Sequence, residues 1–115
     1  DEGIRGVNRE GERVLVYGAG LGGQMVLREI ETNRELGLTV AGFMDDNPRI
    51  QRRKIRGYPV LGTLKDLNRI MSEQDIKEII ISFKKDRSEK KREIKRLCNA
   101  MGVEVDVKEM RLVIS

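Results

Sequence analysis

The sequence predicts an α/β fold, an open parallel sheet of about five strands with helices on both faces. Three observations carry this. Short apolar runs alternate with amphipathic stretches in the order strand, helix, strand, strand, helix, strand, helix, strand. One run, Ile79-Ile80-Ile81, is continuously β-branched, as a central parallel strand covered on both sides requires. The first apolar run breaks into a cluster of glycines that opens a helix. Right-handed crossovers then fix the hand of the sheet.

Taken in order, residues 1–12 carry three glycines and alternating charges without an apolar period, which reads as a leader or linker. The folded part is expected over 13–108. Arg13 to Tyr17 is the first strand, and a helix follows over Leu21 to Thr32, with Met25, Val26, Leu27 and Ile30 able to face the sheet. Leu38 to Met44 is the second strand. Asp45-Asp46-Asn47-Pro48 is a turn, because Asp and Asn bond locally and Pro fixes φ without offering a donor. Ile50 to Ile55 is too polar for core, and Gly57 to Gly62 gives a short third strand.

Thr63-Leu64-Lys65-Asp66 resembles a capping box with Asp in place of Glu, opening a helix whose Leu64, Leu67, Ile70 and Met71 share a face. Ile76 to Ser82 is the next strand. Asp86 or Ser88 can cap a last helix running to Met101, where Gly102 stops it. Val103, Val105 and Val107 alternate with charged residues as an edge strand with one solvated face.

The first turn carries the functional signal. Tyr17-Gly18-Ala19-Gly20-Leu21-Gly22-Gly23 holds a Gly-x-Gly-x-x-Gly pattern between a strand and a helix, and Asp45 ends the second strand roughly 20 residues past the last glycine. Each residue type has a reason. Gly18 lets the chain leave the strand sharply, Gly20 lets backbone approach a pyrophosphate, and Gly23 lets the helix pack close to the sheet. The helix aims unpaired N–H groups and its positive dipole end at the phosphates. A carboxylate at Asp45 can accept hydrogen bonds from ribose hydroxyls. This is the pattern of a Rossmann-like dinucleotide site, and a βα turn that keeps the geometry without a ligand is the alternative.

Composition bounds the chemistry. With 115 residues, 37% charged and 38% hydrophobic, the chain has room for one core, built from Ile, Leu, Val and Met. It contains no His, which removes the commonest general base and metal ligand, and the lone Cys98 can form neither an internal disulfide nor a Cys-based zinc site. A reducing, cytoplasmic setting is expected. No apolar run approaches the roughly 20 residues of a membrane span, and the polar start is neither a signal peptide nor an anchor. The net charge of +4 is mostly interleaved and does not demand an anionic partner.

The succession VLVYGAGLGGQ, VAGFMDDNP, a basic stretch, IRGYPVLGTLKDL and IKEIIIS is more specific than the glycine motif. It closely resembles the Rossmann-like, CoA-binding-like domain that precedes the catalytic domain in membrane-anchored nucleoside-diphosphate-sugar dehydratases and epimerases of polysaccharide biosynthesis. The resemblance runs from about Arg13 to Val107. A similar domain occurs in membrane sugar-1-phosphate transferases. Either parent implies membrane helices upstream, a catalytic domain downstream of a tail at 109–115, and a position on the cytoplasmic side of an inner membrane. In such relatives a Tyr-x-x-x-Lys pair on a second domain does the sugar chemistry, and this chain lacks it: Leu21 stands four residues after Tyr17 and Gly62 four after Tyr58. The resemblance implies a site for NAD or NADP and no catalytic residue, so the chain alone is expected to be inactive.

The cofactor contacts expected on these grounds are Gly18, Ala19, Gly20, Leu21, Gly22, Gly23, Asp45, Asp46, Arg49 and Ser82. Asp45 would take the ribose, with Asp46 on the turn toward Pro48. A carboxylate there favours NAD, because it would repel a 2′-phosphate. Arg49, Arg52, Arg53, Lys54 and Arg56 follow at once and keep NADP open, although a solvated basic loop is the plainer account. Ser82, at the carboxyl end of a central strand, stands near the expected crevice. The basic run from Lys84 to Arg96 is interrupted by Asp86, Glu89 and Glu93 and lacks interleaved aromatics, so it reads as a solvated helix face and not a nucleic-acid surface. Cys98 reads as packing. The competing functional reading is a ligand-free scaffold that supplies a homodimer or interdomain surface.

Overall fold

The structure, a computed structural model, describes residues 11–110. Along the chain come β1 (Glu12–Tyr17), α1 (Leu21–Thr32), β2 (Leu38–Met44), β3 (Lys54–Ile55), β4 (Tyr58–Gly62), α2 (Leu67–Glu73), β5 (Glu78–Ile81), α3 (Arg87–Met101) and β6 (Asp106–Glu109). The strands form one sheet in the order β3-β4-β2-β1-β5-β6. All neighbours run parallel except β3, which pairs antiparallel with β4 at the edge. The expected parallel sheet of about five strands is therefore present, with one short antiparallel strand added. Most of the segment expected as a leader, and the tail beyond residue 110, lie outside the described residues.

Side-chain alternation along the central strand divides the core into two layers. On one face Val14 and Val16 of β1 and Val40 and Phe43 of β2 pack against Val26, Leu27 and Ile30 of α1. On the other, Leu15 and Tyr17 of β1 and Ile79 and Ile81 of β5 pack against Leu67 and Ile70 of α2 and Ile94 and Cys98 of α3. The β-branched run thus occupies a strand covered fully on the α2 and α3 side by way of Ile79 and Ile81, and partly on the α1 side, where Ile80 is half-buried. Cys98 is buried packing, and burial pushes its thiol pKa up. Met25 departs from expectation: it is exposed, while Gly23 takes a place on the buried face of α1.

Local signals set most element ends. Thr63 and Asp66 form the expected reciprocal capping box, although its first turn is a 3₁₀ helix over Leu64–Asp66 and α2 begins only at Leu67. Gly102 ends α3 in a left-handed conformation, with its N–H on the Asn99 carbonyl and the Val103 N–H on the Cys98 carbonyl, a Schellman motif. Asp86 precedes α3 but makes no side-chain cap, because its own backbone is left-handed with φ 57°. Of the alternating valines only Val107 lies within the edge strand, which begins at Asp106. The polar stretch Ile50 to Ile55 hides β3, which the sequence reading missed.

Among the described residues, no helix is long and apolar enough to cross a membrane. The basic residues near α3 are partly paired, Arg87 with Glu109 at 3.2 Å and Lys90 with Glu93 at 3.7 Å.

One charge breaks the apolar pattern. Glu78 in β5 is only 4% exposed and meets Lys108 of β6 at 3.4 Å. Burial raises its pKa above the usual 4.5, more than the Lys108 charge and hydrogen bond lower it. The folded state therefore binds this proton more tightly than the unfolded chain. The resulting stabilisation appears as pH falls through the raised pKa and is complete below the usual value. Urea denaturation between pH 7 and pH 4 is expected to show Glu78→Gln losing this increment relative to wild type. Parallel pH profiles for the two proteins would contradict that.

Candidate nucleotide-binding site

The site forms where strand order reverses. From β1 the chain crosses by α1 to β2 on one side, while β5 joins β1 on the other, so the carboxyl ends of β1 and β5 mark the position where open α/β sheets take their ligands. The glycine turn stands there.

Each glycine has a distinct geometry. Gly18 has φ 112°, and a Cβ on it would lie 2.3 Å from the Ser82 hydroxyl oxygen. A Cβ on Gly22 would lie 2.5 Å from the Ser82 carbonyl oxygen, and one on Gly23 would fall 1.8 Å from the Gly18 carbonyl oxygen. These positions exclude side chains because α1 packs directly on the strand ends. Gly20 differs. Its backbone is ordinary, φ −81° and ψ −156°, and nothing lies within 4 Å of where its Cβ would be. The fold does not require glycine at 20, and the space beside it is an open cradle.

Gly20 is also the N-cap of α1, where no side chain caps the helix and no acid occupies the first turn. The N–H groups of Leu21, Gly22 and Gly23 meet no acceptor among the described residues. A helix start of this kind usually gains about 1 kcal/mol from a Ser, Thr, Asp or Asn cap. Here the positive end carries three free N–H groups, which is the arrangement that receives an anion. Leu21 beside it is 77% exposed, an apolar side chain at the mouth of the site.

Asp45 comes to this turn as expected. One carboxylate oxygen accepts the Ala19 N–H at 2.8 Å and the other accepts the Asn47 N–H at 2.8 Å. Each oxygen retains a further lone pair for a hydroxyl. Opposite Asp45, Gln24 donates to the Ala19 carbonyl at 3.3 Å and accepts from Arg56 Nε at 3.2 Å. Both main-chain polar groups of Ala19 are thereby held.

Asp46 does not join them. Its carboxylate accepts the Tyr17 hydroxyl at 2.5 Å and the Leu64 N–H at 2.9 Å, on the α2 and α3 side of the sheet. Consecutive residues leaving a strand point to opposite faces, so only one of the acidic pair reaches the glycine turn. The expectation that Asp46 contacts the cofactor, or braces the turn toward Pro48, is corrected: it anchors Tyr17 and the start of α2. Burial, then the bond to Asp46, pushes the Tyr17 pKa upward, so the phenol remains a donor. Its ring meets Phe83 edge-on at 4.9 Å between centroids.

Ser82 is 4% exposed, and its hydroxyl lies 2.9 Å from the Tyr17 carbonyl and 3.2 Å from the Gly18 carbonyl. Its one proton is shared between main-chain acceptors. It pins the turn from below. Arg49 is exposed, its N–H held by the Asn47 side chain at 2.9 Å, and its guanidinium makes no ion pair with a described residue. The structure therefore gathers Gly18, Ala19, Gly20, Leu21, Gly22, Gly23 and Asp45, with Ser82 beneath; it adds Gln24, which sequence reasoning had not placed at the site, and of the basic cluster after the second strand it brings Arg56 to Gln24. No His, Cys, Asp or Glu cluster among the described residues could hold a metal ion.

Comparison with known proteins agrees with this architecture. Residues 3–107 match the family model of the CoA-binding domain. The chain is 26% identical over 107 residues to the probable polysaccharide biosynthesis protein EpsC of Bacillus subtilis (strain 168), covering 93% of this chain and 18% of that protein. It is 30% identical over 97 residues to the capsular polysaccharide biosynthesis protein CapD of Staphylococcus aureus, covering 84% of this chain and 16% of that one. The chain thus spans less than a fifth of the length of these relatives. Among solved structures, UDP-D-quinovosamine 4-dehydrogenase from Vibrio fischeri superposes with TM-score 0.68 at 21% identity, covering 90% of this chain and 80% of that one. The Rex-family repressor RSP in complex with beta-NADH superposes with TM-score 0.65 at 21% identity, covering 89% and 54%. These two likenesses show the shared Rossmann-like fold. With almost its whole length matched, the chain belongs to the CoA-binding domain family and is related to polysaccharide biosynthesis proteins.

Proposed function

We propose that this chain is a non-catalytic nucleotide-binding domain that takes an NAD(P)-type dinucleotide on the turn from Gly18 to Gly23. Its parent is a nucleoside-diphosphate-sugar dehydratase or epimerase of polysaccharide biosynthesis, held at the cytoplasmic side of a membrane by upstream helices. In that assembly the domain serves a downstream catalytic domain of the same chain. The single observation that carries the ligand is Gly20, a glycine the fold does not need, at the head of an uncapped helix with Asp45 alongside. The pyrophosphate would take the free N–H groups of α1, and Asp45 would take the ribose. The names of the relatives support the pathway, and the NADH complex of RSP supports the ligand class. The description of the matched family brings coenzyme A into the same test.

A second reading is a ligand-free scaffold that supplies a homodimer or interdomain surface. One observation favours it: both oxygens of Asp45 already hold a main-chain N–H, so this carboxylate is satisfied within the fold as it stands. A thermal-shift panel with NAD, NADH, NADP, NADPH and coenzyme A separates the two. Binding predicts that at least one ligand raises Tm in proportion to ln(1 + [L]/Kd), and that Asp45→Ala shrinks the ligand-induced shift. No shift with any ligand up to millimolar concentration rejects the binding reading in favour of the scaffold.

A further inference from the structure

We infer that Arg56 is a phosphate-binding residue of this site, its guanidinium fixed beside the glycine turn to neutralise a phosphoryl group of the bound dinucleotide. The inference rests on the reading that the turn holds such a ligand, and it names a residue and a ligand charge that the glycine motif does not.

Arg56 and Gly57 form the two-residue loop of a hairpin in which Ile55 pairs with Tyr58 and Lys54 with Pro59. Both loop residues have positive φ, 54° and 88°, the signature of a type I′ turn. That turn prefers Asn, Asp or Gly at its first position, because a left-handed backbone crowds a Cβ. An arginine is nevertheless found there. Its side chain reaches α1, where Nε donates to the Gln24 side-chain oxygen at 3.2 Å, and the same amide donates to the Ala19 carbonyl at 3.3 Å. Asp45 holds the Ala19 N–H. Arg56, Gln24, Ala19 and Asp45 are therefore one run of contacts around the turn. Only Nε of Arg56 is engaged, and its terminal N–H groups meet no acceptor among the described residues.

Charge points the same way. Arg49, Arg52, Arg53, Lys54 and Arg56 fall within eight positions that contain no acidic residue. None of them forms an ion pair with a described residue. This unbalanced positive loop adjoins an uncapped helix N-terminus. The open space beside Gly20 leaves room for a phosphoryl group against the backbone. A polyanion is complementary to all three, and a guanidinium binds a phosphoryl oxygen pair through parallel N–H bonds. Arg56 is singled out from the loop because its Nε bonds Gln24, while Arg49, exposed like Arg56, has no side-chain anchor.

The test compares wild type, Arg56→Asn and Arg56→Lys by calorimetric titration with NAD, NADP and coenzyme A at low and high salt. Asn suits the type I′ turn, so Arg56→Asn is expected to melt at the wild-type temperature or above it. It is nevertheless expected to bind at least one ligand about tenfold more weakly and with a smaller salt dependence. Arg56→Lys keeps the charge but not the fork, and should fall between. An equal loss on all three ligands assigns the contact to the pyrophosphate. A larger loss on NADP or coenzyme A assigns it to the phosphate on the 2′ or 3′ oxygen of the ribose. A folded Arg56→Asn variant that binds every ligand as tightly as wild type overturns this inference and leaves the proposed function standing. A wild-type protein that binds none of the three overturns the proposed function itself.

Discussion

Gly23→Ala is expected to destabilise the ligand-free domain by about 3 kcal/mol or more, near or beyond the upper end of ordinary overpacking effects. The added Cβ would lie 1.8 Å from the Gly18 carbonyl oxygen and 2.8 Å from its carbon. Both are main-chain atoms of the turn, so no rotamer change can relieve the clash. The turn is also fixed from other sides, because the Gly18 N–H donates to Met44 at 2.7 Å and Ser82 holds the Tyr17 and Gly18 carbonyls. Relief would require α1 to move off the sheet, and with it Val26, Leu27 and Ile30 from the layer they share with Val14, Val16 and Phe43. A typical domain has only about 5–15 kcal/mol in total, so a loss of this size is readily seen in a urea transition. A variant within about 1 kcal/mol of wild type would mean that α1 sits farther from the turn than the structure places it.

Gly20→Ala is expected to behave in the opposite way, leaving the fold intact and removing the ligand. A Cβ there meets nothing within 4 Å, and the backbone suits any residue. Two small terms nearly cancel in the free protein: alanine caps a helix less well than glycine, while losing glycine reduces the freedom of the unfolded chain. Tm without ligand should therefore remain within a few degrees of wild type. The methyl group would occupy the cradle where a pyrophosphate must come against the backbone, and affinity is expected to fall on the order of 100-fold, or about 2.7 kcal/mol. Paired with Gly23→Ala, the variant separates glycines kept for packing from a glycine kept for a ligand. Unchanged affinity in Gly20→Ala would show that the cradle is not where the ligand lies.

The parts of this molecule governed by local rules were legible in the sequence. Helix α1 over Leu21–Thr32 and strand β2 over Leu38–Met44 follow from apolar spacing and glycine punctuation, and the capping box at Thr63 and Asp66 from its residue types. Strand β3 was not legible, because two residues carry no alternation and are paired only through the turn that follows them. The site divides along the same line. Motif spacing brings Asp45 to the glycine turn. The opposite fate of Asp46 depends on which way each side chain leaves the strand and on a partner, Leu64, eighteen residues away. Spacing along the chain also says nothing of the contact between Arg56 and Gln24, 32 residues apart. The one available hint was the Arg56-Gly57 pair, which marks a tight hairpin only once two strands are seen around it.

The central claim is that the glycine turn binds a nucleotide, and its most direct test is to follow every backbone amide by heteronuclear NMR while NADH, NADPH or coenzyme A is added. Binding at this site predicts saturable shifts concentrated on Gly18 to Gln24 and on Asp45 to Asn47, with α2 and the outer face of α3 unmoved. Spectra unchanged at millimolar ligand, or shifts confined to α2 and α3, would contradict it.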